Sequence, residues 1–84
     1  MAEVTGRVVE VMVSVDYAWT LIESEEGLTE KVVIWSEVIE DYSPTQRIQH
    51  GMWVAMLRDA MVNNLTVHAF APAFKTMRSL SVRA

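Results

Sequence analysis

Residues 4–15, VTGRVVEVMVSV, constrain the fold more than any other stretch. Val9, Val11, Val13 and Val15 fall on one face of an extended chain, and Glu10, Ser14 and Asp16 fall on the other. A period of two is that of a long, half-buried strand. A strand of this kind needs neighbours for its backbone and a core for its apolar side. Gly6, near its start, permits a bend or bulge. The rest of the chain must therefore supply a sheet.

The chain has 84 residues, enough for one domain and too few for a second core. It has no Cys, which excludes disulfides and thiolate metal sites. Its two His, His50 and His68, stand far apart in sequence, so a zinc site is not expected. No apolar stretch is long enough to cross a bilayer, and no basic-then-apolar leader opens the chain. A cytoplasmic protein with no membrane association and no cofactor is the expectation. Apolar residues make up 51% and the net charge is −4, the wrong sign for simple phosphate binding. The charge is unevenly placed: every acid lies at or before Asp59, and beyond it only Lys75, Arg78 and Arg83 are charged. The body is acidic and the tail basic.

Asp16, Tyr17 and Ala18 can reverse the chain into a second strand over residues 19–24, with Trp19 and Leu21 on one face. Gly27 supplies a positive φ for the next turn, and residues 29–35, TEKVVIW, form a third strand. Residues 36–50 read as two short helical pieces with a break. Ser43, Pro44 and Gln46 give the second piece a capping box with Pro at its first position, and Gly51 ends it. Residues 52–62, MWVAMLRDAMV, read as a fourth strand. Asn63-Asn64 reads as a hairpin turn, and residues 65–71 as a fifth strand closed by Pro72. The tail could add a short helix with Phe74, Met77 and Leu80 on one side.

Three strands, a helix and a two-strand hairpin is the order of the OB-fold barrel. The wording WTLIESEEGLTEKVVIWSEVIEDYS, followed by HGMWVAMLRDAMVNNLTVHAF, resembles single-stranded-nucleic-acid-binding OB domains. It is most similar to those of the replication protein A type and of bacterial replicative polymerases and synthetases. Trp35, Ser36, Glu37, Gly51, Asn63, Asn64 and Leu65 stand where that family ends strand 3, starts its helix, opens strand 4 and turns into strand 5. The resemblance covers about residues 5–71. It implies an all-β, five-stranded Greek-key OB barrel with a short helix between strands 3 and 4. On this reading residues 1–71 are the barrel, and 72–84 are a basic tail of the same domain, with its short C-terminal helix.

No nucleophile elbow or helix-borne His pair is present, so the expectation is a binding module and not an enzyme. Trp35 can either stack on a base or plug the end of the barrel. Tyr17, Arg7, Arg58, His68 and Phe70 can line a groove across strands 2 and 3, where rings stack and guanidiniums neutralise phosphates. Trp19 joins that aromatic set, and the basic tail adds Lys75 and Arg78. Trp53, Ala55 and Leu57, outward on strand 4, with Met12 and Val8 outward on strand 1, would form an apolar patch. Two functions follow. One is the binding of single-stranded nucleic acid. The other is assembly, with copies of itself or within a larger complex, through the apolar face of strand 4.

Overall fold

The computed structural model of the chain describes residues 3–72 and 76–84. The elements run β1 (Glu3–Val13), β2 (Tyr17–Glu23), β3 (Thr29–Ser36), α1 (Pro44–Asn63), β4 (Thr66–Phe70) and β5 (Ser79–Arg83). The strands form one five-stranded sheet in the order β3-β2-β1-β4-β5, antiparallel throughout.

β1 holds the sheet together by changing partners along its length. Glu3 to Arg7 pair with β4, and Arg7 to Val13 pair with β2. Gly6 stands at the changeover. A Cβ there would lie 2.1 Å from the carbonyl oxygen of Glu23, so no other residue fits without moving the backbone. Gly6 therefore lets β1 pass close to the end of β2 where it changes partner. Its two edges, β3 and β5, are linked through the segment ahead of β5, where the Met77 amide donates to the Val33 carbonyl at 2.7 Å.

The face assignment of the first strand needs correction. Val4 and Val8 point into the core, then the register slips between Val8 and Glu10, with Val9 as the extra residue. Beyond this bulge Glu10 pairs with Leu21 and Met12 with Trp19. The two faces exchange there, because a bulge shifts the alternation by one residue. Val8 is buried, not outward, while Val9 and Val13 are exposed. β2 follows the expected alternation, with Ala18, Thr20 and Ile22 inward, and β3 turns Val32 and Ile34 inward. The buried Thr20 hydroxyl donates to the Glu10 carbonyl at 2.8 Å, which offsets its desolvation.

The larger correction lies between residues 52 and 62, which are helix and not strand. Ser43 caps α1 as its sequence indicates: its side chain accepts from the Gln46 amide, and the Gln46 side chain accepts from the Ser43 amide. Once started, the helix runs through Gly51. Ala, Met, Leu and Arg at 55–58 favour it, and glycine costs it only about 1 kcal/mol. Asn64 does adopt the left-handed conformation, φ 55° and ψ 44°, but as the helix C-cap and not in a hairpin. Residues 36–40 form a single turn. The expected tail helix is replaced by β5 over residues 79–83, which pairs with β4; Phe74 lies outside the described residues.

α1 lays a stripe of His50, Trp53, Leu57 and Ala60 on the inward face of the sheet. These residues share one core with Val4, Val8, Ile22, Ile34, Val67, Ala69 and Met77. The outward patch expected on strand 4 therefore does not exist: Trp53 and Leu57 are buried and Ala55 is half-buried on a helix. Among the described residues no helix is long and apolar enough to cross a membrane.

Candidate binding surface

α1 covers one face of the sheet and leaves the other open. The cross-strand pairing places the side chains of this open face in rows. The first is Met12, Trp19 and Val33, across β1, β2 and β3. Beside it run Glu10, Leu21 and Lys31. A third row crosses all five strands as Thr29, Glu23, Arg7, Thr66 and Arg83. Thr5, His68 and Ser81 form the next, and Glu3, Phe70 and Ser79 the last.

Two parts of this face carry chemistry. On β2–β3 the half-buried Trp19 ring has the Lys31 ammonium 4.9 Å from its centroid. The ammonium over the ring is a cation–π contact, so a base stacks on Trp19 only once the flexible Lys31 side chain swings aside, where it can meet a phosphate. On β1–β4–β5, Arg7 and Arg83 flank Thr66 from either side. The Arg7 guanidinium donates to the carbonyl of Asn64, which holds it towards β4. His68 bridges two β1 side chains, with Nδ1 2.6 Å from the Thr5 hydroxyl and Nε2 3.3 Å from Glu3. A hollow of about 430 Å³ lies between Arg7, Thr66 and the Glu23–Glu26 turn.

The remaining aromatic residues gather elsewhere, at the join of β3 and α1. The bulge between Ala18 and Trp19 sets Trp35, and not Ile34, opposite Ala18. Trp35 then stacks on His50 with centroids 5.3 Å apart and planes 15° from parallel. Tyr42 meets the same imidazole edge-on at 4.6 Å, and Trp53 lies 5.6 Å away. The Ser36 amide donates to the Tyr42 hydroxyl at 3.0 Å, and Thr76 lies 3.3 Å from that hydroxyl. Arg78 donates to Thr76 at 2.9 Å and to Glu40 at 2.8 Å. Burial holds the His50 pKa below the usual imidazole value, and the Arg47 charge adds to the effect.

The expected site residues therefore separate. Arg7, Trp19, His68 and Phe70 share the open face. Tyr17 is exposed at the start of β2. Trp35 is occupied on one ring face by His50. Arg78 is committed to Glu40 and Thr76. Arg58 lies exposed on α1 beside Asp59, away from the sheet, and Lys75 lies outside the described residues. Lys31 and Thr66 escaped the sequence reading. Lys31 was accessible to it, since alternation along β3 sets it beside the Trp19 face. Arg83 was seen only as part of a basic tail, because the strand that carries it was read as tail. Among the described residues no three His, Asp or Glu side chains converge to hold a metal ion.

Compared with known proteins, the chain matches no described family, no curated protein and no solved structure.

Proposed function

We propose that the chain is an OB-type binding module that takes single-stranded nucleic acid across the open face of its sheet. Trp19 stacks a base once Lys31 swings off its ring towards a phosphate, and Arg7 and Arg83 neutralise backbone phosphate further along the strand. The observation that carries this reading is the Trp19–Lys31 pair, displayed on the face that α1 leaves uncovered. The order β3-β2-β1-β4, with the fourth strand returning beside the first, supports a Greek-key arrangement. The long connection through α1 and the Met77–Val33 hydrogen bond between the sheet edges support a barrel of OB type.

Three cations on an acidic body predict a weak and modestly salt-dependent interaction. For a single strand, log K is expected to fall with log salt with a slope of about −2. Tryptophan fluorescence during titration with a single-stranded oligonucleotide tests the reading. Saturating quenching is expected at low salt. Trp19→Leu should remove most of the quenching and weaken binding by roughly tenfold, within the range of one lost stack. Trp35→Phe should leave affinity unchanged, because the Trp35 ring faces His50. Absence of any response at low salt from the folded protein would sink the proposal.

A further inference from the structure

Arg7 and Glu23 are direct partners across β1 and β2, on the open face. Opposite charges so placed ordinarily attract each other into a pair. Here neither forms an ion pair among the described residues. Arg7 donates instead to the Asn64 carbonyl, on the β4 side. The hollow of about 430 Å³ lies between them, with Thr66 beside Arg7 and with Glu25 and Glu26 beside Glu23. Small-ligand sites commonly enclose about 300–1,000 Å³. The Ser24 hydroxyl oxygen, in the same turn, is buried with no hydrogen-bond partner among the described residues. An unsatisfied group of this kind is uncommon in a protein that has no ligand to bind beside it.

The hollow is two-sided in its chemistry. Arg7 presents N–H donors, and the turn presents carboxylates, which when ionised only accept. Three carboxylates repel a phosphate, so the group that enters is not the backbone of a strand. It must carry acceptors on one edge and donors on the next. Guanine is such a base. Its O6 and N7 accept, and its N1–H and 2-amino group donate side by side. Two parallel donors match the two oxygens of one carboxylate. Cytosine and adenine set a ring acceptor beside their amino group. Thymine and uracil flank their single N–H with carbonyls. Each of these would turn a lone pair towards a carboxylate.

We infer that this hollow is a guanine site, in which Arg7 donates to O6 and N7 and a carboxylate of the Glu23–Glu26 turn accepts from N1–H and the 2-amino group. With five N–H donors, Arg7 can meet the base and still neutralise the adjoining phosphate, which Arg83 reaches from the other side of Thr66. The site thus rests on the nucleic-acid reading and adds a base preference to it.

Titration with two thymidine oligonucleotides, one of them carrying a single guanine, tests the site by tryptophan fluorescence at low salt. The guanine strand is expected to bind about tenfold tighter, within the discrimination of one bidentate pair. Combining Glu23→Gln, Glu25→Gln and Glu26→Gln, all at exposed positions, should abolish that preference with unchanged circular dichroism. The same variant should bind the all-thymidine strand more tightly, since three repelling charges are gone. A general charge effect would move both strands together, whereas a guanine contact moves them apart. Equal binding of the two strands by the wild type would overturn the guanine site and leave the nucleic-acid reading standing. A preference that survives in the triple variant would also overturn it. If neither strand binds, the nucleic-acid reading fails, and NMR with guanosine and thymidine monophosphates decides the site. Shifts of the Arg7 and Glu23–Glu26 amides with the guanosine compound alone would uphold it, and their absence would overturn it.

Discussion

His50 stands between three aromatic rings, and its burial disfavours the charged form. Its folded pKa lies below the unfolded value of about 6.5. The unfolded chain therefore binds the proton more readily, and acid favours unfolding. The contribution of His50 is fully present above about pH 6.5 and declines as pH falls below it. Denaturant melts at pH 7 and pH 5.5 should show a larger loss for the wild type than for His50→Phe, which keeps the ring but cannot charge. Equal losses would mean that His50 does not couple to folding. Gly6 makes a sharper demand. Gly6→Ala drives a methyl group onto the Glu23 carbonyl, where backbone and not a flexible side chain must yield. A loss of about 2–4 kcal/mol in a denaturant melt is expected.

At the scale of the element, α1 holds most of what the sequence reading missed. Its N-terminus was legible, because a capping box is a local chemical pattern. Ser43→Ala should cost about 1 kcal/mol, measured by the same melts. Its continuation past Gly51 was not legible. The run MWVAMLRDAMV is apolar on every side, so neither a period of two nor one of 3.6 stands out. The choice falls to the core, which accepts Trp53, Leu57 and Ala60 at helical spacing. Gly51→Ala tests this directly, since an added methyl group there meets nothing. It should stabilise α1 by about 0.5–1 kcal/mol in a denaturant melt.

Across the whole molecule, the two uncovered surfaces lie on opposite sides of the sheet-and-helix pair. One is mixed and polar and carries Trp19 and Phe70, and the other is the outer side of α1, where Ile48, Met52 and Val62 stand among Arg58 and Asp59. The hydrogen bond that joins the segment ahead of β5 to β3 should also show in the dynamics. The Met77 amide lies outside every strand yet bonds to Val33 and is buried. Slow hydrogen exchange at Met77, comparable to that of β4, is expected. Rapid exchange there would mean that the edges of the sheet part readily.

The sequence by itself determined the local patterns: alternation in β2, the existence of β3, the turn at Gly27, the cap at Ser43 and the left-handed residue at Asn64. Each depends on chemistry within a few residues. A helical start after the third strand was legible too, but the helix runs through residues 52–62, which the sequence reading gave to a fourth strand. Tertiary structure alone decided the rest. The inward parity of β1 depends on a bulge opposite β2, and the helical state of residues 52–62 on the core it enters. The strand at residues 79–83 exists because β4 offers it an edge. Arg83 reaches the open face through that pairing, and Trp35 leaves it through the bulge beside Ala18. Such outcomes depend on contacts between residues distant in the chain, which no local pattern encodes.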